Sequence, residues 1–212
     1  MKTSVALKTL LGAATLALPL AAFAESNVQT GAATSAPGAT AHVDFSIVIP
    51  KILYLRVGTG SSYSTGALTS NGAIDLITFS PTAAQVGSGS AIAGTGGDLT
   101  GGVETAAVVS NSGNVTLNAT ATGALSNGNG DSIPFTQITT TASTLTSATA
   151  LAAPTLANGA SNNIVLTAPA SKVIVQDAKW TFAYANAAMV PTGTYGGINT
   201  NNGRVTYTAT MP

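Results

Sequence analysis

Between His42 and Gly58 the chain reads HVDFSIVIPKILYLRVG, and its apolar residues keep a strict period of two. Val43, Phe45, Ile47, Ile49, Leu53, Leu55 and Val57 all fall on odd positions. An extended backbone gathers such residues on one face, here for about fifteen residues. Pro50 and Lys51 interrupt the run without changing its phase. Proline has no N–H to give a ladder, so Pro50 marks a bend, a bulge or an edge position. The pattern predicts two short strands around a corner, packed on one core. A long apolar edge left unpaired is a liability, so these seven residues are also the candidate strand-pairing and assembly set. They pair inside their own domain or cross to a neighbour. Internal pairing is favoured, because the Gly-rich stretch that follows lets the segment fold back; assembly is the competing expectation.

The rest of the chain is built from similar but shorter runs. IDLITF (74–79) reads as a short strand. VETAAVVSNSGNVTLNATAT reads as a hairpin, with Thr105–Ser110 as one arm, Asn111–Asn114 as the turn, and Val115, Leu117 and Ala119 as the inward face of the other arm. A further strand carries Ile133, Phe135 and Ile138, and NIVLTAP (163–169) makes another. Trp180, Phe182 and Tyr184 share one face of the next strand, and Val205, Tyr207, Ala209 and Met211 alternate with threonines at the end of the chain. Residues 58–72 and 86–102 are nearly all Gly, Ser, Thr and Ala and read as loops, the second long and mobile, while 139–163 commits to no element. Short strands at this spacing predict an all-β fold, an antiparallel immunoglobulin-like β-sandwich with long Gly/Ser/Thr loops.

The first 24 residues differ from everything after them. Lys2 and Lys8 precede or begin a short apolar run, and Ala22-Phe23-Ala24 follows as a small-x-small site. The run is shorter than the ~20 residues a membrane span needs. Residues 1–24 are therefore expected to be a cleaved signal peptide, followed by a flexible arm at 25–41 and a single domain at 42–212. No membrane span is expected after cleavage. The expected location is the periplasm, the cell surface or the extracellular space. The chain has no cysteine, so packing and backbone pairing must hold the fold without disulfides.

The same composition excludes much chemistry. Residues 25–212 hold five basic and seven acidic side chains, a formal charge of −2, with neither sign clustered. Nucleic acid needs a basic footprint, and there is none. One histidine and no cysteine argue against a zinc site and leave His42 as the only base for a Ser-His-Asp arrangement. GTGGDLTGG (94–102) lacks the Lys-Ser/Thr ending and following helix of a phosphate loop. NGNGDS (127–132) offers oxygen atoms for calcium without the regular carboxylate spacing. No cofactor and no enzymatic activity are expected.

At the C-terminus, PTGTYGGINTNNGRVTYTATMP joins a Gly-Thr-Tyr turn to a strand of alternating threonines. Together with VDFSIVI near the start, it resembles exported bacterial fimbrial and spore-coat-U-like β-sandwich proteins. The resemblance implies an immunoglobulin-like sandwich lacking one strand, the gap being filled by an alternating apolar strand from a chaperone or the next subunit. It further implies self-association or a chaperone- or usher-like assembly partner, and a structural role in a fimbria, pilus or matrix, with cell adhesion as the outcome. Those proteins commonly carry a disulfide, which this chain lacks. The expected function is thus that of an exported, non-enzymatic structural protein of the cell surface or matrix. The alternative is a secreted carbohydrate- or ligand-binding module using the long loops or the Trp180 face.

Overall fold

A computed structural model describes residues 26–32, 38–58 and 68–212. The expected signal peptide, part of the arm and part of the 58–72 loop lie outside the described residues. The chain divides into two units, Met1–Ile49 and Pro50–Pro212. In the first, the described residues form no helix or strand and are exposed throughout.

The second unit is nearly all-β. Its strands are β1 (Leu53–Val57), β2 (Ile77–Thr78), β3 (Ile92–Ala93), β4 (Thr95–Gly96), β5 (Val103–Ser110), β6 (Val115–Ala121), β7 (Leu125–Ser126), β8 (Ser132–Ile133), β9 (Ile138–Ser143), β10 (Ile164–Leu166), β11 (Ile174–Tyr184) and β12 (Val205–Thr210). One turn of 3-10 helix, Phe135–Gln137, is the only helical element among the described residues. All pairings are antiparallel. The larger sheet runs β1-β5-β11, and β11 then pairs with both β9 and β3. The smaller runs β10-β6-β12. The two pack face to face as a sandwich, with β2-β4 and β7-β8 as short ribbons beside them.

Alternation places the core. Ala106 and Val108 of β5, Val115, Leu117 and Ala119 of β6, and Ala178, Trp180 and Phe182 of β11 are buried in one cluster. Leu53, Leu55 and Val57 of β1 pack against it from one side, and Val205, Tyr207 and Ala209 of β12 from the other. Trp180 is fully buried. Its indole N–H donates to the Leu151 carbonyl at 2.8 Å, and its ring lies 5.3 Å from that of Tyr207. A buried indole needs such an acceptor, and Leu151 supplies it from a segment without regular structure.

Three expectations change. The first half of the opening run is not a strand: β1 begins at Leu53, and Val43–Ile49 form none. The expected hairpin is a corner: β5 and β6 have the forecast inward faces but belong to opposite sheets. The reason lies in β5, where Glu104 to Val108 are all buried. A strand covered on both faces and paired on both edges, to β1 and β11, has no edge left for β6. The four residues 111–114 therefore carry the chain across the core. Finally, the loop expected at 86–102 holds β3 and β4. It is pinned by buried Asn186, whose Oδ1 accepts from Gly87 N at 2.9 Å and whose amide donates to the Gln85 carbonyl at 2.5 Å.

Candidate functional site

Two features stand out, one in each unit. In the first, Val43, Phe45, Ile47 and Ile49 are 74–90 % exposed. Val48 is exposed as well. Four large apolar side chains keep strand phase without a strand.

In the second unit, β1 and β12 are terminal strands of opposite sheets. Among the described residues β1 pairs with β5 and β12 with β6. The two strands approach each other along one side of the sandwich, and an open groove of about 410 Å³ there is lined by Leu53–Val57 of β1 and by Tyr207 of β12, with Thr69, Ser70, Asn71 and Ala73 at its rim. Its walls are half-buried rather than sealed: every residue of β1 and the inward residues of β12 remain partly accessible. The first half of β11, beyond the reach of β9, is flanked by residues 146–151. There Thr146 N and Ser147 N donate to Asp177 Oδ1 at 2.9 and 2.7 Å, and the Thr146 hydroxyl donates to Asp177 Oδ2. Burial works against the Asp177 charge, but these donors outweigh it and hold the carboxyl well below the usual carboxylate range.

The chain enters β1 through a clamp. Asn111 Oδ1 accepts from Ile52 N at 2.8 Å, its amide donates to the Pro50 carbonyl at 2.8 Å, and its own backbone N–H donates to the Ile52 carbonyl at 3.3 Å. Lys51 Nζ donates to the Pro212 carbonyl at 2.5 Å. β5 ends at Ser110, the partner of Leu53, so Asn111 satisfies the backbone groups that a continuing ladder would have used.

Just beyond the far end of β1, around Gly58, lies a group of acids. Glu104 lies on the inward face of β5, 5 % exposed, close to Asp75 and Asp98. Burial above all, then the charge of Asp75, pushes its carboxyl up to about 7. Gly58 sits over this group with φ +80°, a conformation that suits glycine.

Of the seven sequence-derived residues, Leu53, Leu55 and Val57 therefore line the groove, whereas Val43, Phe45, Ile47 and Ile49 belong to the exposed segment. Asn111, Asp75 and Glu104 were not singled out by sequence. The signal for Glu104 was its even position, in phase with Ala106 and Val108; Asn111 had only its place in a turn.

The remaining candidates are placed as follows. His42 is exposed in the first unit. Trp180, Phe182 and Tyr184 are buried, so this face is core rather than a sugar platform. In NGNGDS, Asn127 Nδ2 donates to Asp131 Oδ2 at 2.8 Å across the β7–β8 turn. Among the described residues no group of three or more His, Cys, Asp or Glu is arranged to hold a metal ion. No helix of the described residues is long and apolar enough to cross a membrane. Neither a family model, nor a curated protein, nor a solved structure matches the chain.

Proposed function

We propose that the chain is an exported structural subunit of the cell surface or matrix. It assembles head to tail when residues 43–49 of one copy add as a strand at the sandwich edge formed by β1 and β12 of the next. The observation that carries this reading is a single chain bearing both an exposed alternating apolar segment and an open groove along the side where β1 and β12 meet. The lengths agree. Seven extended residues span roughly 23 Å, against about 17 Å for the five of β1 and about 20 Å for the six of β12.

The energetics agree as well. Burying four such side chains gains on the order of 1.5–3 kcal/mol each. Ordering seven residues costs roughly 1–2 kcal/mol each. These two nearly cancel, so ladder hydrogen bonds at about 1 kcal/mol apiece decide for insertion. A segment folding back beside its own β1 would need a reversal at Pro50–Ile52, and Asn111 and the Pro212 carbonyl tie those residues down. That favours a neighbour. The contact is heterologous and does not close on itself, so it propagates as a fibre. The reading as a sugar-binding module loses its stacking surface with the Trp180 face in the core.

The test is light scattering and negative-stain microscopy of the exported full chain against the Ile47→Asp/Ile49→Asp variant. Fibres from the former and folded monomers from the latter are expected. A wild-type chain that stays monomeric at high concentration, without any accessory protein able to assemble it, contradicts the proposal.

A further inference from the structure

Glu104 stands opposite Trp180 in register and shares the inward phase of Ala106 and Val108. An acid there must be neutralised or paired. Its nearest titratable neighbours are acids. An atom at the Cβ position of Gly58 would lie 2.5 Å from Asp75 Oδ2 and 2.7 Å from Glu104 Oε2. The two carboxyl groups thus converge over the one residue that offers no side chain, just beyond β1. At that separation a proton on one of them lets the two carboxyl groups hydrogen-bond to each other. Asp98 adds its backbone N–H, 3.4 Å from Glu104 Oε2, while its own carboxylate accepts from Thr105 N at 2.7 Å and from the Thr105 hydroxyl. From β12, Tyr207 faces the same space, its hydroxyl pushed up by burial and then by the charge of Glu104. Arg56 of β1 and Asp177 and Lys179 of β11 are in register with Ala107 and Thr105, which places them on the opposite face of the sheet.

Asp75 belongs to the run Leu68–Leu76, which is otherwise exposed and contributes Thr69, Ser70, Asn71 and Ala73 to the groove rim. It is the half-buried residue of that run, and so an anchor for the rim. We propose that Asp75 and Glu104 form a proton-dependent latch: while they share a proton the rim is held against the end of β5, and when the proton leaves, two carboxylates face each other and the rim is released. Asp75 is the partner that moves, since it sits on an exposed segment whereas Glu104 is fixed in a central strand.

The proton leaves in the neutral range, given where burial and Asp75 set the Glu104 carboxyl. Its folded-state value lies above the ordinary 4.5. The latch therefore contributes fully below about 4.5, weakens as pH rises, and is lost above about 7. Between about 4.5 and 7 the ratio of released to latched rim grows roughly tenfold per pH unit, and above about 7 it levels off. Any effect on strand insertion rests on the proposed function; the latch itself does not.

The experiment uses the full chain carrying Ile47→Asp/Ile49→Asp, which cannot insert, so the latch is read independently of assembly. NMR follows the Glu104 and Asp75 carboxyl resonances and the heteronuclear NOE of residues 69–75 from about pH 5 to pH 8. Expected is a Glu104 titration near neutrality, with the NOE of 69–75 falling over the same range and that of β6 unchanged. Adding Glu104→Gln, or Asp75→Asn if the first variant folds poorly, removes the dependence. A Glu104 carboxyl titrating in the ordinary range, an NOE indifferent to pH, or a dependence that survives both variants overturns the latch.

Discussion

Residues 43–49 and 53–57 carry the same alternation, and they end in opposite states. The second run is a strand whose Leu53, Leu55 and Val57 pack on the core; the first forms no strand and exposes Val43, Phe45, Ile47 and Ile49. Side-chain chemistry does not separate them. The partner strand does. β5 stops at Ser110, opposite Leu53, and the chain turns to the other sheet at residues 111–114. Upstream of Leu53 there is no ladder left to join, and Asn111 closes the end. Period two tells which residues share a face; it does not tell whether a neighbour exists to cover it.

The same substitution made in each half breaks or sharpens this comparison. Leu55→Asp puts a carboxylate against the core beside the groove. It is expected to cost about 3 kcal/mol or more, roughly 6–12 °C of Tm for a domain this size, as read by thermal unfolding. Asn111→Ala, at the junction, removes two side-chain hydrogen bonds. It is expected to cost about 1–2 kcal/mol, and hydrogen exchange at Ile52 N should accelerate because its acceptor is gone. Ile47→Asp in the exposed half is expected to leave the melting of the monomer within about 0.5 kcal/mol of the parent. If Ile47→Asp destabilises the monomer as much as Leu55→Asp does, the two halves are equivalent and the comparison fails. A protease specific for aromatic residues adds a qualitative check: it should cut after Phe45, 90 % exposed, and leave the melting of residues 46–212 unchanged. In assembled material the same bond should resist.

Much of the sandwich was legible in the sequence, because inward faces follow directly from alternation. The buried sets on β6 and β11 and the alternating face of β12 fell where the pattern put them. What alternation cannot give is connectivity. Thr105–Ser110 and Val115–Ala119 look the same whether they pair with each other or turn a corner; the apolar character of both faces of β5 was the one hint that other strands flank it. The candidate site was half legible for a similar reason. All seven apolar residues share one phase in the sequence, but their division into an exposed segment and a strand is not written there. The Asp75–Glu104 pair is separated by β2, β3 and β4 in the chain and meets only through the tertiary fold. Asn111 clamps through its side chain at the end of a strand, which no periodicity records.

The most direct test of the account uses the fact that the chain has no cysteine of its own. One variant carries Ser46→Cys in the exposed segment; a second set carries Thr206→Cys, Thr208→Cys or Thr210→Cys on the outward face of β12, exposed in each case. The two are mixed and oxidised. Expected is a reducible disulfide between different molecules at one of the three positions, abolished by adding Ile47→Asp/Ile49→Asp to the first variant. Absence of a disulfide at all three positions, or one that forms only within a single molecule carrying both cysteines, contradicts strand insertion between neighbours.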